Sequence, residues 1–272
     1  MTAFMLKTIA CVGMLLDHIY AAFPYSTPRL LNSIGRFVFP VYAYMIAQGC
    51  KHTKSINKYL IRLGIFALIS EIPFDIAFMS GGAANIASWN INFLNQTNVF
   101  YTLLLGVACI AVYEKTKKKL SVLEVNNTKK SKLFRSILPI LPMIPLVILG
   151  SILNTDYGML GIIFIVVFYF AKPENKMTRT VAAAIIVFYE YGYPYIFVLF
   201  HERDISLPYL GQMIIFNAQS VMLNNFMFAL IAVLLIFLYN GKQGANSKWA
   251  FYAYYPLHIA ALVAVRLILA AR

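Results

Sequence analysis

Charge is what this chain has least of. Of its 272 residues 12% are Asp, Glu, Lys or Arg, where a soluble domain carries about 25%. With 61% hydrophobic residues and a mean hydropathy of +0.72, the chain has too little charge to cover a water-facing surface. That excludes soluble-enzyme and disordered-chain readings. Acidic residues are scarcer still, 10 against 23 basic, for a net charge of +13. In a soluble protein such an excess points to nucleic acid. Here the cations sit in short loops between apolar runs, so the expected partner is a lipid bilayer, with no nucleic acid. Only three cysteines occur, Cys11, Cys50 and Cys109. They are far apart, without a CxxC pattern, and read as small buried hydrophobes, neither a disulfide framework nor a metal site. Four scattered histidines without an HExxH pattern make no metal centre. The first apolar run, Phe4 to Phe23, lacks a small-residue cleavage site and holds Lys7, Asp17 and His18, so it reads as a retained helix. No internal repeat is visible, and with it the inverted halves of many transporters are missing.

What the chain does have is long apolar runs. A helix needs about 20 largely apolar residues to cross about 30 Å of hydrocarbon. Runs of this kind place helices near 4–23, 30–49, 58–79, 98–114, 135–153, 158–171, 179–199, 209–239 and 249–270. The expected fold is all-α, one polytopic transmembrane bundle over 1–272 with nine spans. A tenth is left open, because the run at 209–239 is long and its polar middle, Asn217 to Asn225, suggests a break. Basic residues cluster at Lys51–Arg62, Lys115–Arg135, Lys172–Arg179 and Lys242–Lys248. They alternate with loops nearly free of Lys and Arg at Pro24–Arg29, Ser80–Thr97, Asn154–Tyr157 and His201–Leu207. The positive-inside rule then predicts a cytoplasmic N-terminus and a multi-pass protein of the cell's inner membrane, its last helix ending outside.

Ionisable groups inside such helices cost about 2.5–3.5 kcal/mol each on insertion scales and mark function by default. Lys7 is predicted near the cytoplasmic surface. Asp17, His18 and Arg36 fall in the outer halves of the first two helices, Glu71 and Asp75 near the outer end of the third, and Asp156 in an external turn. Lys7 and His18 are eleven residues apart, about three turns, so they share one helix face about 16 Å apart along the axis. A neutral imidazole in a dry site takes a proton from an attacking amine or hydroxyl, or attacks an acyl group itself. A carboxylate then orients the ring. Asp17, Glu71 and Asp75 are all candidates, Asp17 pointing about 100° away from its neighbour and so open to pairing with Arg36 instead. His258, in Tyr254-Tyr255-Pro256-Leu257-His258, packs helices or contacts substrate. Asn98 caps the fourth helix.

Several of these segments resemble the TraX family. They are Leu6–Ala10 and Met14–Ile19, Ile34–Pro40, Ser70–Asp75, Asn98–Leu103, Asp156-Tyr157-Gly158 and Tyr255–His258, in family order along the chain. The family is named for a conjugation-locus pilin acetylase and is similar to a wider class of membrane acyltransferases with a basic residue, ten residues, then His in the first helix. Lys7 stands here where Arg is commoner. The resemblance implies acyl-CoA, with acetyl-CoA the family expectation, as a donor substrate drawn from the cytoplasm and an acceptor modified at or beyond the outer face; a peptide, a glycan and a lipid would all fit an outward polar cavity. It implies His18 as the acyl-transfer residue, Lys7 as a donor-side contact and Arg36 as a second-motif basic residue. The residues themselves add Asp17 as a catalytic candidate and Glu71, Asp75, Asp156 and His258 as candidate substrate contacts, with no metal. The same buried ionisable residues also suit a transporter or proton-coupled permease, and a non-catalytic assembly factor for a surface or conjugation structure stays open.

Overall fold

The computed structural model describes residues 1–79, 96–122, 136–201, 209–245 and 247–270. Every named element is helical, and among the described residues the only extended pairing is one isolated bridge, Thr97 with Thr155. The helices are α1 (Ala3–Ala22), α2 (Leu30–Ile34) running through a 3-10 turn (Gly35–Phe37) into α3 (Val38–His52), α4 (Ile56–Phe74) and α5 (Val99–Val122). After them come a 3-10 segment (Leu138–Met143), α6 (Ile144–Ile152), α7 (Gly158–Phe170), α8 (Lys176–Val187), α9 (Tyr193–His201), α10 (Tyr209–Leu238) and α11 (Lys248–Ala270). Single π turns follow α4 at Asp75–Met79 and α8 at Phe188–Gly192. Helix starts carry side-chain oxygen caps: Thr2 accepts from the Met5 amide, Ser55 from that of Lys58, and Asn175 from those of Met177 and Thr178. Each satisfies a donor that the first turn leaves without an intrahelical partner.

Each apolar run of the sequence is helical, but the count of nine spans is corrected. Among the described residues six helices are long and apolar enough to cross a membrane: Ala3–Ala22, Leu30–His52, Val99–Ser121, Lys176–Val198, Ser220–Leu238 and Lys248–Ala270. They make the chain an integral membrane protein. Two more, Leu138–Ile152 and Gly158–Phe170, are apolar but shorter. Pro139, Pro142 and Pro145 deny backbone donors to the first of these and turn its start into a 3-10 segment. α4 has the length but carries Lys58, Arg62 and Glu71. The expected break in the run at 209–239 is also corrected, since α10 is one helix of 30 residues. Parts of the loops Ser80–Thr97, Lys115–Arg135 and His201–Leu207 lie outside the described residues. Lys115 to Lys119 prolong α5 rather than forming a loop.

The chain packs into two compact units, residues 46–170 and residues 1–45 with 171–272. In the unit of 46–170, α5 is central, contacting α4, α6, α7 and the 3-10 segment. Leu105, Cys109, Met143 and Ile162 form its core. α4 shows how a membrane helix sorts its faces. Tyr59, Leu63, Ala67, Ser70, Glu71 and Phe74 are buried, while Ile61, Ile65, Leu68 and Ile72 form an exposed stripe suited to lipid.

In the other unit, α1 contacts α2, the 3-10 turn and α11, while α10 contacts α8, α9 and α2. The start of α1 is pinned to the α10–α11 connection. The Ala3 and Phe4 amides donate to the carbonyls of Lys242 (2.8 Å) and Gln243 (3.0 Å), and the Asn240 amide donates to Met1 (2.9 Å). Contacts then follow in ascending order along both helices: Phe4 with Phe251 (5.7 Å between ring centroids), the Cys11 carbonyl with the Tyr254 hydroxyl, and His18 with His258. α1 and α11 therefore run parallel, each starting at the same end of the unit.

Candidate functional site

The α1–α11 seam brings His18 onto His258. His18 Nδ1 lies 2.6 Å from His258 Nε2. The ring planes are 11° apart and the centroids 4.9 Å apart. The nitrogen separation is shorter than the centroid separation by about two ring radii, so the hydrogen bond runs in the plane of the rings, edge to edge. Below it, His258 Nδ1 lies 2.8 Å from the Tyr254 carbonyl oxygen one turn earlier. The Tyr254 ring lies parallel to His258 at 4.8 Å, and Tyr255 meets both imidazoles edge-on at 5.9 and 5.7 Å. The Tyr254 hydroxyl donates to the Cys11 carbonyl at 2.8 Å, tying the helices two turns from the histidine pair. Residues 254, 255 and 258 share a face by helical periodicity, while Leu257 points away and is exposed.

The next face of α1 holds Asp17, and it is turned from His18 as adjacency predicts. Asp17 Oδ1 accepts from the Asn32 amide nitrogen at 2.6 Å and from the Arg36 guanidinium at 3.0 Å. Arg36 Nε also donates to the Asn32 carbonyl at 3.0 Å, one turn back in the same helical stretch. The π turn after α8 brings Glu190 and Tyr191 within electrostatic reach of Arg36. Arg36 in turn lies within electrostatic reach of His18. Close approach of the 3-10 turn to α1 depends on glycine. A Cβ at Gly35 would fall 2.5 Å from Asp17 Cβ, and one at Gly13 2.6 Å from the Phe37 ring. Gly35→Ala is accordingly expected to cost about 1–3 kcal/mol by overpacking and to loosen the Asp17–Arg36 pair. A lowered unfolding temperature in detergent checks it.

Three turns toward the start of α1, Lys7 lies over the Phe251 ring (5.5 Å) and within reach of the Lys248 charge. Lys242 stands in the adjoining connection. The start of α8 joins this end through Arg179, which donates to the Tyr239 carbonyl, and through Lys176, whose Nζ is 3.7 Å from the Phe237 ring centroid. One end of this unit is therefore rich in cations, and the histidine pair lies about 16 Å along α1 from Lys7.

The remaining carboxylates belong to the unit of 46–170. Glu71 and Asp75 are fully buried. Glu71 Oε2 accepts from the Asn98 backbone amide at 3.1 Å and from its side-chain amide, which also donates to the Ala67 carbonyl at 2.8 Å. Asn98 Oδ1 accepts from the Phe100 amide at 3.0 Å and so caps α5 as expected. Asp156 is exposed in the turn after α6, where its amide donates to the Thr97 carbonyl at 3.0 Å. Asn98→Ala removes a cap and a donor to a buried carboxylate together, an expected loss of about 2–4 kcal/mol. Chemical unfolding in detergent measures it.

The sequence-predicted residues Lys7, Asp17, His18, Arg36 and His258 thus fall in one unit, and Glu71, Asp75 and Asp156 in the other. Sequence reading missed Asn32, which holds Asp17, although it stands one helical turn before Arg36. It also missed Tyr191 beside Arg36, and Tyr254 and Tyr255 as the walls of the histidine pair. Among the described residues no group of three or more His, Cys, Asp or Glu is arranged to hold a metal ion.

These features define a polytopic helical membrane protein with paired histidines and a paired Asp–Arg among its helices. The chain belongs to the TraX family: the family profile described as TraX protein matches residues 3–266. A relative from Dichelobacter nodosus named "Probable fimbrial assembly protein FimC, serogroup H1" is 28% identical over 279 aligned residues, covering 98% of this chain and 97% of the relative. No solved structure matches the chain.

Proposed function

We propose that the protein is a membrane acyltransferase that moves an acyl group, with acetyl the first to test, from cytoplasmic acyl-CoA to an acceptor at the outer side of the membrane. The observation that carries this reading is the imidazole of His18, hydrogen-bonded to His258 in the α1–α11 seam and three turns along one face of α1 from Lys7. Coenzyme A has phosphates at one end and a thioester on a long arm. Lys7, Lys242 and Lys248 suit the phosphates, and by the positive-inside rule their end faces the cytoplasm. His18 then takes the proton of the acceptor hydroxyl or amine as that oxygen or nitrogen bonds to the thioester carbonyl carbon. The carbon–sulfur bond breaks, the electron pair leaves with the coenzyme A thiolate, and the imidazolium returns its proton to that sulfur. Arg36, held by Asp17 and Asn32, supplies positive charge for the oxyanion that forms between these steps.

The relative's name makes a subunit of a surface fibre the first acceptor to test, ahead of glycan and lipid head groups. It also favours a second reading, a non-catalytic assembly factor. The deciding experiment supplies labelled acetyl-CoA to the purified protein in lipid nanodiscs with each acceptor class, and follows the label and the released thiol. Transfer supports the enzyme. Absence of transfer, with fibres still assembled by cells carrying His18→Ala, supports the assembly factor.

A further inference from the structure

Two hydrogen bonds in the seam share one ring, and together they determine where the protons lie. A backbone carbonyl has no proton to give, so in the 2.8 Å contact between His258 Nδ1 and the Tyr254 oxygen the ring nitrogen donates. Neutral His258 then carries its proton on Nδ1 and a lone pair on Nε2. That lone pair faces His18 Nδ1 at 2.6 Å, so His18 Nδ1 must be the donor. With Nδ1 protonated, the basic atom of neutral His18 is Nε2. The opposite assignment needs a second proton on His258, a cation in a buried seam bounded by Tyr254 and Tyr255.

We infer that His258 is a positioning residue that holds His18 in the tautomer whose Nε2 is the base. This deepens the acyltransferase reading and rests on it for its chemical consequence. The usual partner of a catalytic histidine is a carboxylate that accepts from Nδ1. Here the neighbouring carboxylate, Asp17, is engaged by Asn32 and Arg36 instead, and a second imidazole takes its place. When His18 Nε2 accepts the proton of the attacking group, its Nδ1 proton is shared with His258 Nε2, while the proton on His258 Nδ1 stays hydrogen-bonded to the Tyr254 carbonyl. One added positive charge thus spreads over two rings, and no proton leaves the pair. The parallel Tyr254 ring at 4.8 Å offers its π face to that charge.

The test has a spectroscopic arm that does not depend on activity. The chain has four histidines, so nitrogen NMR of nitrogen-15-histidine-labelled protein in nanodiscs is assignable by loss of the His18 signals in His18→Gln. The expected spectrum shows a protonated Nδ1 and an unprotonated Nε2 on His18. A proton on His18 Nε2 overturns the inference. In the kinetic arm, His258→Phe is expected to lower kcat by about 10²–10⁴-fold with acyl-CoA KM unchanged. His258→Gln, whose side-chain oxygen accepts in place of Nε2, restores most of the rate. Unchanged turnover in folded His258→Phe overturns the inference as well. If the wild type shows the expected tautomer yet transfers no acyl group, the acyltransferase reading fails and the hydrogen-bond relay stands. If it transfers label with the tautomer reversed, the relay alone fails.

Discussion

Alanine at position 18 is expected to lower acyl transfer from acetyl-CoA by about 10²–10⁴-fold, the range a positioned general base contributes, while leaving donor binding intact. The separation is structural. His18 meets His258 three turns along α1 from Lys7, so its removal takes away the proposed base without touching the cations proposed for the coenzyme A phosphates. Nor does α1 depend on this contact for its place. The Tyr254 hydroxyl still bonds the Cys11 carbonyl, Phe251 still packs on Phe4, and the start of α1 stays pinned to Lys242 and Gln243. The readouts are the initial rate of coenzyme A release, the affinity for a non-hydrolysable acyl-CoA and the unfolding temperature. Only the first is expected to move strongly. Wild-type turnover by folded His18→Ala removes the imidazole from the mechanism.

A larger effect on stability is expected at Asp17. Its carboxylate is the shared acceptor of Asn32 and Arg36 at 2.6 and 3.0 Å, and the two ion-pair partners are each 23% exposed. Asp17→Ala takes from the guanidinium the carboxylate hydrogen-bonded to it, in a seam built by α1, α2 and the 3-10 turn. Breaking a desolvated pair from one side costs about 2–5 kcal/mol, much of it the penalty of the stranded charge. Removing both charges is milder, because no ion remains to be solvated. Asp17→Leu combined with Arg36→Met is therefore expected to recover most of the thermal stability lost in Asp17→Ala. It is not expected to recover transfer activity, since the proposed oxyanion partner is gone. Thermal unfolding and the transfer assay, run on the same three proteins, check both halves.

The parts of this molecule legible from sequence are those governed by local periodicity. Apolar runs interrupted by charge located each helix, and the eleven-residue spacing set Lys7 and His18 on one face. The turn of Asp17 away from His18 made pairing with Arg36 one open alternative, and the structure shows that pair. What depends on length and backbone chemistry was less legible. Three prolines shorten the helix of Leu138–Ile152, and the charges of α4 reduce its apolarity. α10 continues through Asn217 and Asn225 because a helix satisfies its own backbone whatever its side chains, and from Gln212 to Leu238 there is no Pro or Gly to interrupt it. The partner of His18 was the least legible. Sequence reading sought a carboxylate nearby and treated His258 as packing or as a substrate contact. The two are 240 residues apart, and only the parallel course of α1 and α11 makes them neighbours.

That parallel course has a consequence for biosynthesis. α1 and α11 meet only after everything between them has been made, so the two imidazoles can join only once α11 has been translated. A nascent chain halted before α11 inserts presents His18 with neither its nitrogen partner nor its aromatic walls. A chain cut short before α11 therefore lacks the His18–His258 pair altogether.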